Sequence, residues 1–141
     1  MENYKIIYAD ELSNLYKAEV VNGLNGNAFQ KVGLGKDNGS ASFVILDEEG
    51  NFLAGMQGYN FYGCFNIDIL FVKDSEQNKG FGGILIKKAE EIALVRKCKF
   101  LTVNTMSFEA RPFYEKHGFK LEFIRNGFEG GASMYYLRKE V

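Results

Sequence analysis

Hydrophobic and polar residues follow two different periods along this chain, and together they predict an α+β (mixed α/β) fold. Short runs rich in β-branched and aromatic residues predict strands at residues 4–8, 42–46, 52–61, 64–72, 100–103, 119–124 and 133–138. Apolar residues three and four apart predict helices after Asp10, after Gly80 and after Ser107. This order predicts a central sheet of about seven strands, mostly antiparallel with some parallel pairing, flanked by helices.

The segment of residues 22–40 breaks this regularity, because it is rich in glycine and asparagine and has no sustained apolar period. We expect the first helix to be capped by Asp10 and to end near Gly23 and Gly26. Long irregular connections are uncommon in compact domains and often carry function. The segment is therefore predicted to be a loop, either a lid on the substrate side or a merely mobile connection.

Regular alternation along the strand of residues 64–72 predicts that its side chains divide between two faces of the sheet. The two sets are Phe65, Ile67, Ile69 and Phe71 on one face, and Asn66, Asp68, Leu70 and Val72 on the other. Asp68 would then share a face with Val72, about 13 Å away at the usual rise of a strand.

A glycine cluster follows this strand after a short polar loop and opens an amphipathic helix that runs to about residue 97. The cluster consists of Gly80, Gly82 and Gly83. The first N–H groups of a helix have no partner within it, and the helix dipole adds partial positive charge there. Glycine lets a phosphate approach the backbone, because no β-carbon stands in the way. The segment therefore predicts a diphosphate cradle made mainly of main-chain amides.

The spacing of the glycines excludes two common phosphate-binding motifs, the dinucleotide fingerprint and the Walker A motif. A dinucleotide fingerprint would need G-x-G-x-x-G with an acidic residue about 20 residues on, and a Walker A motif would need Gly-Lys-Ser/Thr after four spacer residues. The sequence has neither. It has Gln77-x-x-Gly80-x-Gly82 after a strand and, about 30 residues later, the segment SFEARPFYEKHGF from Ser107 to Phe119.

In these two segments the chain resembles the GCN5-related N-acetyltransferase (GNAT) superfamily. The first resembles the family's acyl-CoA diphosphate loop, R/Q-x-x-G-x-G/A, and the second its N-x-x-A-x-x-F-Y-x-x-x-G-F segment. The predicted strand order also matches, so the resemblance implies a single acyl-CoA N-acyltransferase domain over residues 1–141, with its sheet splayed between the fourth and fifth strands. One departure is Ser107, where the family often has Asn; Asn104 is the nearby alternative.

The resemblance implies transfer of an acetyl group from acetyl-CoA to a primary amine by direct attack in a ternary complex, without a metal. The main chain near Val72 would stabilise the charge that develops on the thioester oxygen. The residues implied to bind the coenzyme are Leu70, Phe71 and Val72, the loop Gln77, Asn78, Lys79, Gly80, Phe81, Gly82 and Gly83, and Asn104, Ser107, Phe113 and Tyr114.

Tyr114 is implied to be the catalytic acid, since a phenol is protonated at neutral pH and can protonate a departing thiolate. The alternative is a core aromatic residue on a helix face. Asp68 is the candidate base, acting through water, or else a polar residue that fixes the strand or the substrate ammonium. Glu109 is expected to be exposed near its helix start and a poorer base. His117 is expected only to complement the helix end.

The local signals around Tyr114 predict a short helix with defined ends. Ser107 is predicted to be its N-cap and Gly118 the glycine that follows its last turn. Pro112 must lie within the first turn, because deeper in a helix it costs about 3 kcal/mol. Several aromatic residues are expected either to wall an acceptor pocket or to belong to the core: Tyr59, Phe61, Tyr62, Phe128 and Tyr135.

Composition narrows the class of partner. The formal net charge of −1 disfavours a dedicated nucleic-acid binder, which needs a strongly basic face. No apolar run approaches the roughly 20 residues that span a bilayer, and no signal-peptide pattern is present. Cys64 and Cys98 lack metal-site spacing and suggest reduced thiols. We therefore expect a cytoplasmic protein with a small-molecule amine substrate and neither nucleic-acid nor membrane partners. A homodimer, common in the family, stays open.

Two other functions compete with catalysis at this point. A non-catalytic acyl-CoA sensor would keep Gly80 and Gly82 but would not need Tyr114. A nucleotide-binding protein would share only the glycine loop.

Overall fold

The computed structural model describes residues 3–33 and 39–141. The chain divides into two compact units, Met1–Lys36 and Asp37–Val141. Every candidate catalytic or coenzyme-binding residue predicted above lies in the second unit. That the whole chain forms one acyltransferase domain stays a prediction.

The described part of the first unit, residues 3–33, contains one helix, α1 (Asn14–Val32). Ser13 caps it, because its side chain accepts a hydrogen bond from the Tyr16 N–H at 3.3 Å. Gly33 ends it in the left-handed conformation, with φ of 71°. The predicted cap, Asp10, instead accepts a hydrogen bond from the Tyr8 hydroxyl at 2.6 Å.

Two predictions for this unit are wrong. Residues 4–8 form no strand, since an apolar, β-branched run becomes a strand only where it finds a ladder partner. The helix also continues through Gly23 and Gly26 to Val32. Each glycine costs a helix only about 1 kcal/mol, and the two together do not end this helix. The predicted loop is therefore wrong over residues 22–32, and residues 34–38 lie outside the described residues.

Over its described residues, 39–141, the second unit is built on one sheet of six strands, where about seven were predicted. The strands are β1 (Gly39–Leu46), β2 (Phe52–Phe61), β3 (Cys64–Val72), β4 (Phe100–Met106), β5 (Lys120–Arg125) and β6 (Met134–Glu140). Their order across the sheet is β1-β2-β3-β4-β6-β5. Every neighbouring pair is antiparallel except β3 and β4, which are parallel. The prediction of a mixed, mostly antiparallel sheet is confirmed.

Helix α2 (Phe81–Val95) makes the crossover between the two parallel strands and covers one face of the sheet. Its buried side chains recur at helical spacing, as the sequence predicted. They pack on the buried side chains of β2, β3 and β4 to form the core: Leu85, Ile86, Ala89 and Ala93 against Ala54, Met56, Phe65, Ile67, Leu101 and Val103.

Strands β3 and β4 are paired over only part of their length. The ladder runs from the pair Cys64–Phe100 to the pair Ile67–Val103 and no further. Beyond it, five residues of β3 and three of β4 extend without pairing to each other. The predicted splay is therefore confirmed at this position of the sheet.

A β-bulge at Asp68 corrects the predicted faces of β3. Gln57 pairs with Ile69 and Gly58 with Ile67, so Asp68 is an extra residue without an opposite. A bulge of one residue moves every later side chain to the other face. As a result Leu70 and Val72 pack on the same core as Ile67, while Ile69 is 64% exposed.

A short helix, α3 (Arg111–Lys116), precedes the last two strands. Pro112 lies in its first turn, as predicted, and Gly118 follows it with φ of 92°. Its N-cap is Ala110 rather than Ser107. Ser107 is instead joined to Ser133: its N–H donates to the Ser133 carbonyl at 2.7 Å, and its hydroxyl accepts from the Ser133 N–H at 3.0 Å.

Candidate active site

A cleft of about 680 Å³ opens where β3 and β4 separate. Its walls come from the separating ends of both strands, from the segment that leads into α3, and from β1 and β2. The lining residues used below are Asp68, Leu70 and Phe71 of β3, Asn104 and Thr105 of β4, then Glu109, Ala110 and Tyr114, and Phe52 of β2. Unpaired main-chain groups at the edges of separating strands need a ligand or water to satisfy them.

Tyr114 lies at the inner wall of this cleft and is 6% exposed. Its ring packs edge-on against Phe113 and Phe119, with centroids 5.1 Å and 5.6 Å away. Burial, and secondly the negative charge of Glu109, raise the pKa of Tyr114 to about 12. The phenol therefore keeps its proton at neutral pH and is available to donate it into the cleft.

The start of α3 is fixed to β4 by a second buried group. Thr105 is 6% exposed, and its hydroxyl accepts a hydrogen bond from the Ala110 N–H at 3.2 Å. The main-chain carbonyl of Ala110 in turn accepts a hydrogen bond from the Tyr114 N–H at 3.2 Å. This chain of contacts ties Tyr114 to the strand that forms one side of the cleft.

Two carboxylates line the cleft with Tyr114, and its described lining contains no lysine, arginine or histidine. Asp68 protrudes at the bulge and is exposed, so the desolvation expected for a base there is not observed. Glu109 is exposed as predicted, but it lies in the turn before α3 and reaches the cleft. Its carboxylate accepts the Met106 N–H at 3.3 Å. Sequence reasoning undervalued Glu109, because its place depends on where that turn bends.

The predicted diphosphate loop connects β3 to α2 and has the backbone geometry of an anion site. Asn78 and Gly80 have positive φ, 64° and 89°. Among the described residues, no acceptor is found for the main-chain N–H groups of residues 78–83. Unpaired N–H groups in such a turn at a helix N-terminus form a concavity that binds anions.

Side chains of this loop hold its shape rather than point to a ligand. The Gln77 amide donates to the Val72 carbonyl at 3.4 Å and to the Asp74 carboxylate at 3.3 Å. The Lys79 ammonium pairs with Glu76 at 2.8 Å. The binding capacity of the loop therefore resides in its main chain.

The structure brings only part of the predicted set to the cleft. Asp68, Leu70, Phe71, Asn104 and Tyr114 line it. The other predicted residues do not: Val72, the loop Gln77, Asn78, Lys79, Gly80, Phe81, Gly82 and Gly83, and Ser107 and Phe113. Of the two residues considered for that coenzyme contact, Asn104 lines the cleft and Ser107 does not.

The aromatic residues predicted as an acceptor wall are not in the cleft. Tyr59 and Phe61 of β2 pair with Asn66 and Cys64 of β3, at the end of the sheet where β3 and β4 are still joined. Tyr62, Phe128 and Tyr135 do not line it either. The aromatic side chains that do line the cleft, besides Tyr114, are Phe52 and Phe71.

This chain is similar to known acetyltransferases in sequence. The model of the acetyltransferase (GNAT) family matches residues 9–119. The chain is 28% identical over 95 residues to the blasticidin-S acetyltransferase of Streptomyces morookaense, which covers 67% of this chain and 70% of that protein.

Solved structures show the same fold. An acetyltransferase from Bacillus cereus aligns with a TM-score of 0.79 and 23% identity, over 96% of this chain and 98% of that one. A protein assigned as a streptothricin acetyltransferase, from Bacillus anthracis strain Ames, was solved in complex with acetyl coenzyme A. It aligns with a TM-score of 0.66 and 18% identity, over 72% of this chain and 62% of that one.

No helix within the described ranges is both long enough and apolar enough to cross a lipid bilayer.

Proposed function

The chain belongs to the acetyltransferase (GNAT) family, and from this membership we propose that it transfers the acetyl group of acetyl-CoA to a primary amine of a small molecule. The observation that carries the proposal is Tyr114. Its protonated phenol lines a cleft that opens between two separating strands, and the loop that follows one of these strands presents unpaired N–H groups.

Acetyl-CoA fits the residues that are present. It supplies an acetyl thioester, which an uncharged amine can attack directly. The main-chain N–H groups of residues 78–83 are suited to its diphosphate, because they carry the partial positive charge of a helix N-terminus and are unpaired. The resemblance to a fold solved with acetyl coenzyme A bound supports this choice.

Tyr114 is proposed to donate its proton to the sulfur as the thiolate leaves. Its pKa of about 12 keeps the proton in place until negative charge develops beside it. Burial that raises the pKa of the phenol raises that of a thiol in the same cleft as well. A raised pKa of the phenol therefore does not by itself make it a weaker proton donor to a thiolate in the same cleft.

Asp68 and Glu109 are proposed to bind the acceptor as an ammonium ion and to assist its deprotonation through water. Both line the cleft, and no positive side chain among its described lining opposes them. A carboxylate near an ammonium ion favours its charged form, so the proton must then leave for attack to begin. Asp68, on the strand that ends in the coenzyme loop, is the first candidate, and Glu109 the second.

The acceptor is proposed to be a small cationic amine. Two carboxylates attract a cation, and a negative cleft repels phosphate-rich polymers. The blasticidin-S acetyltransferase, a relative named for acetylating blasticidin-S, supports a small molecule over a protein lysine. Cytoplasmic location and the absence of nucleic-acid and membrane partners remain predictions, and the oligomeric state stays open.

A panel of amines tests the proposal by release of free CoA thiol. Wild type should release thiol with at least one amine and acetyl-CoA, and mass spectrometry should find the acetylated amine. A non-catalytic acyl-CoA sensor would bind acetyl-CoA and raise the melting temperature without turnover of any amine. If ATP or NAD stabilises the protein and CoA does not, the nucleotide-binding alternative replaces both.

A further inference from the structure

Two of the three glycines of the predicted diphosphate loop are covered by rings, one from Phe113 of α3 and one from His117, which caps the C-terminus of α3. A β-carbon built on Gly82 would lie 2.7 Å from two atoms of the Phe113 ring, and one built on Gly83 would lie 2.9 Å from the His117 ring. Carbon atoms in van der Waals contact are usually about 3.5–4.0 Å apart. Gly82 and Gly83 therefore have no room for a side chain while the Phe113 and His117 rings stay where they are.

Gly80 differs from both. A β-carbon there would meet nothing within 4 Å, but its φ of 89° lies in the left-handed region. Gly80 is thus required by backbone conformation, whereas Gly82 and Gly83 sit inside α2, where any residue can adopt the helical backbone. The requirement for glycine at these two positions comes from the neighbouring helix.

The two rings that cover the glycines, Phe113 of α3 and His117 at its C-cap, lie on the same side of that helix. Phe113 and His117 are four residues apart, which puts them one above the other on a helix. Their ring centroids are 4.7 Å apart. Tyr114 follows Phe113 directly, so it points about 100° around the helix from it, and it lines the cleft.

His117 makes this contact as an uncharged ring. Its pKa is lowered by partial burial and by the charges of Lys116 and Lys139, while Glu90 acts in the opposite sense. The Lys139 ammonium donates to the main-chain carbonyl of His117 at 2.7 Å and also pairs with Glu90. An uncharged ring can lie against the first turn of α2 without opposing the positive end of the helix dipole.

We propose that Gly82 and Gly83 are positioning residues: they seat α3 on the first turn of α2 through Phe113 and His117, and so set the place of Tyr114 in the cleft. The side of each glycine where a side chain would lie is filled by protein, so the lack of a side chain there does not serve the approach of a phosphate. The same turn that offers N–H groups to the diphosphate would then also place the acid. This inference rests on the proposed role of Tyr114.

Paired substitutions distinguish whether these glycines position α3 or let a phosphate approach the backbone. Gly83→Ala should force the His117 ring away and displace Tyr114, lowering kcat roughly 10- to 100-fold, since a misplacement of about 1 Å can cost that much. Its Kd for CoA should stay within about twofold, because the main-chain N–H remains. Adding His117→Ala should remove the collision and restore kcat to within about threefold of the His117→Ala single variant.

A second pair and a spectroscopic measurement keep the test decisive. Gly82→Ala should behave in the same way, and adding Phe113→Ala should return kcat to that of the Phe113→Ala single variant, which is the reference because Phe113 also packs on Tyr114. In ¹³C-tyrosine NMR, the ring signal that Tyr114→Phe removes should shift in Gly83→Ala and return in the Gly83→Ala/His117→Ala variant. This readout needs no turnover, so it tests whether Gly82 and Gly83 position α3 even if Tyr114 is not the acid.

Gly80→Ala is the control for phosphate binding, because nothing from α3 fills its side-chain position. It should weaken CoA binding, and His117→Ala should not restore it. The proposal is overturned if Gly83→Ala weakens CoA binding about tenfold without rescue by His117→Ala. It is also overturned if neither Gly82→Ala nor Gly83→Ala moves the Tyr114 signal.

Discussion

Ile67 of β3 and Val103 of β4 are the last residues that these two parallel strands pair. The next residue of β3, Asp68, is the bulge, and the next residue of β4, Asn104, lines the cleft. A bulge bends its strand and increases its twist. The bulge at Asp68 therefore coincides with the point where the strands part and the cleft begins.

Replacing Tyr114 with phenylalanine tests the proposed acid. The substitution keeps the ring packing against Phe113 and Phe119 but removes the hydroxyl, so kcat should fall about 10²- to 10⁴-fold, the usual contribution of a general acid. The Kd for CoA, measured by calorimetry, should change less than about twofold. Tyr59→Phe is the matched control, since Tyr59 does not line the cleft and should leave kcat unchanged. Full activity of the Tyr114 variant on a true substrate would remove Tyr114 from the mechanism.

The pH dependence of the chemical step follows from the raised pKa of Tyr114. The active form of the acid is protonated, and with a pKa of about 12 it stays protonated until the pH approaches that value. Single-turnover rates should therefore show no alkaline loss between about pH 8 and pH 10 from this group, whereas an unperturbed tyrosine would be about half ionised at pH 10. A loss with an apparent pKa at or below 10, traced to Tyr114 by NMR titration, would contradict this.

Gly80 and Gly50 form a matched pair for testing the coenzyme loop. Both have a left-handed backbone, with φ of 89° and 87°, and neither would place a β-carbon within 4 Å of another atom. An alanine at either position costs about 1–2 kcal/mol of backbone strain. Gly80→Ala should weaken CoA binding about 5- to 30-fold as the loop relaxes, while Gly50→Ala should lower the melting temperature without affecting CoA. Equal CoA affinities of the two variants would argue against the loop as the site that binds the diphosphate.

Asp68→Asn and Glu109→Gln test the acidic cleft while conserving side-chain size. Each should raise KM for a cationic amine, because a charge that attracts it is lost. The variant that removes the base should also lower kcat about 10²-fold or more. The KM for an uncharged analogue of the amine should rise less than the KM for the cationic amine. Unchanged kinetics in the double variant would show that the acceptor is bound and deprotonated elsewhere.

Much of the second unit could be predicted because its signals are local. The hairpin of β2 and β3 follows from two strand patterns and the short turn between them, and the buried stripe of α2 and the place of Pro112 each follow from a pattern within one helix. The bulge could not be predicted in this way. The run Ile67-Asp68-Ile69 alternates apolar and polar residues as a regular strand does, and only pairing with β2 reveals the extra residue.

The remaining differences at the site are non-local. Ser107 has a good capping side chain, but Ser133, 26 residues away, holds it in a different hydrogen bond. The contact of Gly82 with Phe113 joins two helices that no local period relates. The sequence also favoured phosphate access as the reason for all three glycines, because a ring lying on a helix leaves no mark in the pattern.

The structure of the protein with CoA bound tests the central claim most directly, namely that the main chain of the loop holds the diphosphate and the thiol end reaches Tyr114. Diphosphate oxygens should lie within about 3.2 Å of main-chain nitrogens between residues 78 and 83, with the sulfur in the cleft beside the Tyr114 hydroxyl. A diphosphate bound away from this turn, or a sulfur outside the gap between β3 and β4, would contradict the account.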